Sequence, residues 1–195
     1  MFSPRLALRP LKSAGHNSRS IGTLVVVEHK NGKMAAGSLN ALSAAKKFNQ
    51  PVTALIAGSP GASLESVAKS TGTCEGVETI VVASHDAYGH GLAEPIANLV
   101  AETVKAGGFT QGNNVIYLMC HFGHFVISVV AAHSPFGKNI LPRASALLDV
   151  SAISDVTEIT PDGSSFTFKR PIYAGIQLFL IYISMNCLFL IFVSI

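Results

Sequence analysis

Two histidines and a cysteine lie close together in the stretch "CHFGH", as Cys120, His121 and His124. Thiolate and imidazole groups are common zinc ligands, and a structural zinc site takes four of them. The sequence supplies no fourth ligand at a matching spacing, and its three cysteines form neither a zinc pattern nor a disulfide framework. The pattern therefore does not predict a metal site.

The residue types of a hydrolytic triad also occur, as His133, Ser134 and Asp149. A nucleophilic serine of the α/β-hydrolase type lies in a G-x-S-x-G turn, which exposes its hydroxyl. The surrounding stretch "AAHSPFGK" lacks that pattern. We therefore expect no hydrolytic activity and assign no catalytic residue.

The stretch "SPFGKNILPR" brings two positive charges together, on Lys138 and Arg143. Ser134 and the proline after it are typical of a helix N-cap and first turn, and Pro142 indicates that the helix restarts there. Two cations in one turn could bind a phosphate or a carboxylate of a partner subunit. The alternative is that Arg143 pairs within the chain, with an acid such as Asp149.

Two loops follow apolar runs and could hold a ligand. In "AGSPGAS", residues 57–63, backbone N–H groups could cradle a phosphate, but the P-loop lysine and the full G-x-G-x-x-G spacing are missing. An ordinary turn with a serine cap is the alternative. The stretch "HDAYGHG" places His85, Asp86 and His90 after another apolar run, where they suit a ligand or a turn capped by Asp86.

Charge is distributed unevenly along the 195 residues. The net charge of +3 arises in the first twenty residues, which hold four Lys/Arg and no acid, so that residues 21–195 carry ten Lys/Arg against eleven Asp/Glu. The body therefore lacks the basic surface typical of nucleic-acid binding. The Arg- and Ser-rich start predicts a mitochondrial transit peptide over residues 1–20, with a disordered tail as the alternative, and the missing apolar core argues against secretion.

Behind the charged start, short apolar runs alternate with amphipathic stretches. Strands are predicted at "TLVVV" (23–27), "PVTALIAG" (51–58) and "TIVVAS" (79–84), and helices at "SLNALSAAKKF" (38–48, capped by Ser38), "ASLESVAKS" (62–70) and "GLAEPIANLVAETVKAGG" (91–108). The first helix presents Leu39, Leu42, Ala45 and Phe48 on one face, and two further strands are predicted within residues 152–175. Apolar strands separated by helices predict a mostly parallel sheet in a three-layer α/β domain, with any ligand at the edge where the strands end.

Several longer stretches resemble a known family. "TLVVVEHKNGKMAAGSLNALSAAKKFNQPVTALIAG", "YGHGLAEPIANLVAETV", "SPFGKNILPRASALLDVSAISDVTEI" and "RPIYAG" are similar to the N-terminal domain of the alpha subunit of electron transfer flavoprotein. The resemblance covers most of residues 22–110 and 129–175, and "FGKNILPRASALLDVSAISDV" is its most specific part.

This resemblance implies a Rossmann-like domain, similar to adenine nucleotide hydrolases, in a heterodimer of the mitochondrial matrix. The family carries one FAD, with AMP possible in the beta subunit. It takes electrons from acyl-CoA and related dehydrogenases in fatty-acid and amino-acid oxidation and passes them to a membrane quinone oxidoreductase. Most of its FAD site lies in a C-terminal alpha domain that follows "RPIYAG". The resemblance thus implies a subunit of an electron carrier, not a self-contained enzyme, whose residues here do not hold FAD by themselves.

Two uncharged segments depart from the family pattern. Residues 111–128 interrupt the domain predicted over residues 21–175, and residues 176–195 stand where the FAD-binding domain would begin. Both segments are rich in residues whose codons consist mostly of A and T, which favours translated noncoding sequence. The length of the second segment also fits a membrane anchor, which is the one route to membrane association that the sequence offers. We expect the second segment to form an apolar patch that aggregates or enters membranes. In the first, either "NVIYLM" or "VISVVAA" could be the core strand.

Two other functions remain open at this point. The chain could be a module that binds the beta subunit or a free adenine nucleotide without redox work. It could also be a truncated isoform without function.

Overall fold

The computed structural model describes residues 22–106, 109–112, 115–118, 126–163, 165–184 and 189–193. Its strands are β1 (Gly22–Val27), β2 (His29–Lys30), β3 (Lys33–Met34), β4 (Val52–Gly58), β5 (Val77–Ser84), β6 (Phe109–Gly112), β7 (Val115–Leu118), β8 (Val126–Ala132), β9 (Ala152–Val156), β10 (Glu158–Asp162), β11 (Ser165–Ile172), β12 (Gln177–Ser184) and β13 (Phe189–Val193). The helices are α1 (Ala36–Lys46), α2 (Ala62–Gly72), α3 (Ala93–Ala106) and α4 (Pro135–Leu148), with a 3₁₀ turn at Asp86–Tyr88.

Six strands form one parallel sheet in the order β5-β4-β1-β8-β13-β9. Alternate residues of β1 point to opposite faces, so that Val25 and Val27 pack with α1 and α2 while Leu24 and Val26 pack with α3 and α4. A strand buried on both faces has to be apolar throughout, which explains the continuous run "TLVVV". The predicted three-layer, Rossmann-like α/β fold is confirmed.

The predicted helix α1 is present, but two of its details were wrong. It begins at Ala36, so Ser38 lies inside it, and the buried Ser38 hydroxyl bonds both the N–H (2.9 Å) and the carbonyl (3.1 Å) of Glu28. Leu39 is 46% exposed because α1 turns its alanines and Leu42 toward the sheet instead. Small side chains at this face let the helix lie close to β1 and β8.

The strand that pairs with β1 on the side opposite β4 is β8, which settles the choice between "NVIYLM" and "VISVVAA" in favour of the second. Val129, Val130 and Ala131 are fully buried there, and the buried hydroxyls of Thr23 and Ser128 share a 2.8 Å hydrogen bond. Residues 115–118 instead pair with β6 in a separate antiparallel hairpin. A bonded pair of buried hydroxyls fixes the β1–β8 register, because either group left without a partner would be costly.

The two strands formed by the apolar residues 176–195 lie in different environments. Strand β13 lies between β8 and β9, parallel to both, and Ile191 is completely buried. Among the described strands, β13 is the one that joins β9 to the central sheet. Strand β12 forms the edge of a second sheet, ordered β10-β11-β12, and exposes most of its side chains. No helix within the described ranges is long and apolar enough to cross a membrane.

Residues 152–172 form three strands, one more than predicted. The chain leaves the central sheet after β9 and enters the antiparallel sheet at β10, so the apolar residues Ile153, Val156 and Ile159 are all buried although they do not alternate. Strand β11 alternates as predicted, and the ring of Phe166 meets that of Phe48 edge to face at 4.8 Å. This contact joins the second sheet to the main core.

Candidate functional site

Three charged or titratable side chains converge near the ends of β8 and β9. The Nε2 atom of His133, just after β8, contacts the Asp155 carboxylate in β9, and Arg170 in β11 places Nη2 3.9 Å from the other carboxylate oxygen. The backbone N–H of His133 also bonds the Val193 carbonyl at 2.9 Å, which ties the cluster to β13. Ligands of open α/β sheets bind at the carboxyl ends of the strands, and this His133–Asp155–Arg170 cluster lies on that edge.

The cluster borders an open cleft of 570 Å³, lined by Asp155 and residues 170–175. Its wall is a turn in which Tyr173, Ala174 and Gly175 all have positive φ, at 51°, 54° and 88°. Asp155 also has a positive φ, of 60°. Side chains other than glycine adopt this conformation at a cost, so the fold holds both the carboxylate and the cleft wall in strained backbone.

Arg170 has hydrogen-bonding capacity to spare. Its buried Nε has no hydrogen-bond partner among the described residues, and its contact with Asp155 is at the outer limit for an ion pair. A guanidinium presents several N–H donors that suit a carboxylate or phosphate. The donors of Arg170 suit a ligand with acceptor oxygens, and the cluster holds no nucleophile beside its histidine and carboxylate.

Sequence reasoning found only one member of this cluster. His133 was considered with Ser134 and Asp149 as a triad, but those two residues have structural roles. The Ser134 hydroxyl caps α4 by accepting from the Gly137 N–H at 3.2 Å, as predicted, and Asp149 ends the same helix with a φ of 55°. Asp155 and Arg170 were missed because strands of two different sheets bring them together. The available signal was an acid inside the mostly apolar strand sequence "AISDV".

Lys138 and Arg143 do not lie in one turn. Helix α4 continues through Pro142 without restarting, which corrects the prediction; the carbonyl that loses its N–H partner lies on the exposed residue Lys138, where water can replace the bond. Five residues apart on a helix, the two side chains project about 140° apart. Arg143 bonds Glu94 of α3 at 3.0 Å, so it pairs within the chain, though not with Asp149. Lys138 is exposed in the first turn of α4.

Residues 57–63 span the end of β4, a short exposed turn and the start of α2. The N-cap is Gly61 and no side chain caps the helix, so the expected serine cap is absent. A Cβ on Gly58 would approach Leu64 to 2.9 Å and His29 to 3.1 Å, and the His29 ring bonds the Ala57 carbonyl at 2.9 Å. The glycine at 58 thus serves packing inside the chain.

The loop after β5 is capped by His85, not by Asp86. The Nδ1 atom of His85 accepts a hydrogen bond from the Ala87 N–H at 3.1 Å, and its ring meets that of Tyr88 edge to face. Partial burial raises the pKa of Tyr88. His90 is exposed nearby.

Cys120, His121 and His124 lie outside the described residues. In the part of the chain that the structure describes, no three His, Cys, Asp or Glu side chains are placed to hold a metal ion.

Sequence comparisons place this fold in a family. A model of the electron transfer flavoprotein domain matches residues 23–187. The chain belongs to the electron transfer flavoprotein family. It is 37% identical over 174 residues to a probable electron transfer flavoprotein subunit alpha, mitochondrial, of Cryptococcus neoformans, which covers 89% of this chain and 42% of that protein.

Two further alpha subunits of the family are similar. That of Pseudomonas aeruginosa is 39% identical over 153 residues, which cover 78% of this chain and 41% of that protein. The mitochondrial one of Oryza sativa is 37% identical over 179 residues, which cover 86% of this chain and 44% of that protein. The chain thus spans less than half the length of these relatives.

Electron transfer flavoproteins carry a flavin, and the described residues pack tightly at the place where this fold would bind a dinucleotide. A dinucleotide would bind where the strand order reverses, between β1 and β8. There a Cβ on Gly37 would lie 3.0 Å from that of Ala132, and a Cβ on Gly137 would overlap the Ala132 carbonyl. Helices α1 and α4 pack closely against these strand ends. The 570 Å³ cleft lies elsewhere, beside Arg170, which is the one arginine among its lining residues.

Proposed function

We propose that this chain forms the N-terminal scaffold of an electron transfer flavoprotein alpha subunit. The observation that carries the proposal is the match over residues 23–187, together with the low coverage of the longer relatives. In the complete heterodimer, the alpha and beta subunits would carry electrons on FAD from acyl-CoA and related dehydrogenases to a quinone oxidoreductase.

In this proposal the chain does not hold FAD by itself. When FAD is bound in the complete heterodimer, it supplies the electron-accepting and electron-donating chemistry, and an isoalloxazine ring requires a protein shell that positions it and tunes its potential. Where the strand order reverses, between β1 and β8, the backbones of Gly37 and Gly137 lie so close to Ala132 that they leave little room for a ligand. Their role is to build the sheet that supports the beta subunit and the flavin-binding part of the complete protein. AMP, if present, would be held by the beta subunit.

We place the protein in the mitochondrial matrix. Relatives from Cryptococcus neoformans, Oryza sativa and Arabidopsis thaliana are named as mitochondrial, and residues 1–20 have the composition of a transit peptide. Residues 1–20 lie outside the described part of the chain.

The visible spectrum of the purified chain tests the scaffold role. We expect a colourless protein by itself and a stable complex on co-expression with a beta subunit. Stoichiometric flavin retained by the chain in isolation would overturn the scaffold role, and failure to bind any beta subunit would overturn the subunit assignment.

Lys138 is the residue we propose to contact the beta subunit, because Arg143 already pairs with Glu94. Lys138→Glu should weaken binding of the beta subunit. The matched control is Lys33→Glu, which reverses the charge of an exposed lysine in the β2–β3 hairpin and should leave binding unchanged. Equal binding by both variants would exclude Lys138 from the interface.

A further inference from the structure

The antiparallel sheet β10-β11-β12 has two edges of opposite character. The β10 edge carries Glu158, Pro161 and Asp162, and charges and prolines of this kind keep exposed strand edges from pairing with other chains. The β12 edge, "QLFLIYIS", has no charge and no proline over its eight residues. Both cations of the neighbouring strand β11 have acidic partners away from β12: Lys169 bonds Glu158 of β10 at 2.6 Å, and Arg170 lies 3.9 Å from Asp155 of β9.

The β12 edge also exposes an unusual amount of apolar surface. In β12 and the turn before it, six large side chains are between 43% and 83% exposed: Tyr173, Ile176, Leu178, Phe179, Leu180 and Tyr182. With roughly 150–250 Å² for a large side chain, they leave on the order of 800 Å² uncovered, which is about what one partner contributes to a standard interface. Exposed apolar patches above a few hundred Å² are typical of interaction sites.

The pattern of the strand is complementary to itself. In an antiparallel pair centred on Leu180, Leu180 of one copy faces Leu180 of the other, Leu178 faces Tyr182, and Phe179 faces Ile181. A centre one residue later would place Leu178 opposite Ser184. In the register centred on Leu180, the exposed side chains of Leu178, Phe179, Leu180 and Tyr182 all find apolar partners, and cross-strand apolar pairs are the unit that stabilises a sheet.

We propose that two copies of this chain associate through β12, forming a continuous six-stranded antiparallel sheet about a twofold axis at Leu180. Each copy donates and accepts the backbone hydrogen bonds that its edge strand leaves unmade within the sheet. Because the β10 edge is protected by charge and proline, the assembly closes at two copies and does not grow. This proposal does not depend on the flavoprotein function.

Sedimentation velocity over a concentration series, on the 195-residue chain, tests the dimer. We expect a monomer–dimer equilibrium, and Leu180→Lys should raise the dissociation constant at least about tenfold, since two ammonium groups would face each other across the axis. Leu39→Lys is the matched control: this leucine is 46% exposed, against 43% for Leu180, but lies on α1, and its replacement should leave the dissociation constant unchanged.

A cysteine cross-link tests the register in a second way, independent of the lysine variant. In a chain whose three native cysteines are replaced by serine, Leu180→Cys should form an intermolecular disulfide on mild oxidation, because directly opposed residues lie within disulfide reach. Leu178→Cys and Leu39→Cys should cross-link far less, since neither faces its own copy.

Four results would overturn the proposal. They are a chain that stays monomeric, a chain that forms open-ended aggregates, equal dimerisation of Leu180→Lys, and cross-linking that is as efficient at residue 178 as at residue 180. Flotation with phosphatidylcholine vesicles tests whether the β12 edge binds a lipid surface instead of a second copy. A monomer that binds vesicles through Leu180 would assign this edge to a lipid surface and reject the dimer.

Discussion

Replacing Ile191 with alanine tests whether the apolar end of the chain is part of the folded core. Ile191 lies in β13, is fully buried, and packs in the cluster that also holds Val130 and Val156 of the neighbouring strands. The substitution removes about three methyl or methylene groups, each worth about 0.8 kcal/mol, and leaves a cavity. We expect the free energy of unfolding to fall by about 3–4 kcal/mol, within the range measured for such changes.

The control lies in the same segment. Ile176 is 83% exposed in the turn before β12, so in the monomer Ile176→Ala should change the free energy of unfolding by less than about 0.5 kcal/mol. Ile191→Val should lie between the two, at about 0.5–1.5 kcal/mol. All three variants shorten an isoleucine of residues 176–195. The two positions differ in burial, so the comparison tests whether β13 lies in the core.

Urea denaturation followed by far-ultraviolet circular dichroism measures these differences. With a slope of about 2 kcal/mol/M, Ile191→Ala should lower the midpoint by roughly 1.5–2 M at constant slope. Equal and small shifts for Ile191→Ala and Ile176→Ala would refute the insertion of β13 between β8 and β9. The apolar end would then be a surface segment, as the sequence suggested.

Three further predictions concern the elements around the core. Gly137→Ala should destabilise the chain by about 1–3 kcal/mol in the same urea assay, because the added Cβ overlaps the Ala132 carbonyl. Ser134→Ala should cost about 1 kcal/mol by removing the cap of α4, and Ser134→Asp should restore most of it. The hydrogen bond from Lys169 lowers the pKa of the Glu158 carboxyl in the folded state. The stability that this pair contributes is therefore present above the unfolded pKa of Glu158 and is lost as the pH falls through the folded pKa. Lys169→Met should flatten the acid limb of a plot of stability against pH, and an unchanged limb would contradict this.

Local pattern predicted the first half of the domain well. The runs "TLVVV", "PVTALIAG" and "TIVVAS" became β1, β4 and β5, because strands buried on both faces need continuous apolar sequence. Errors arose where a local rule met a tertiary contact. A serine before a helix usually caps it, but Ser38 bonds the backbone of Glu28 instead, and a proline usually ends a helix, but the bond lost at Pro142 lies at the surface.

The candidate site was harder to predict, since its members share no local motif. His133, Asp155 and Arg170 come from two sheets, and only the crossing of β9 near β11 brings them together. The sequence identified Lys138 and Arg143 as a charged pair. It did not show which side of α4 each side chain occupies, because that depends on the helix continuing through Pro142.

Taken alone, the sequence determined the α/β class and the resemblance to electron transfer flavoprotein alpha subunits, because both rest on residue types and their order along the chain. It did not determine the fate of residues 176–195. An uncharged run of leucine, isoleucine and phenylalanine suits a membrane, a surface patch or a central strand equally well by composition. Only the tertiary structure decided, because β8 and β9 leave a place for one more parallel strand, and β13 fills it while β12 remains at an open edge.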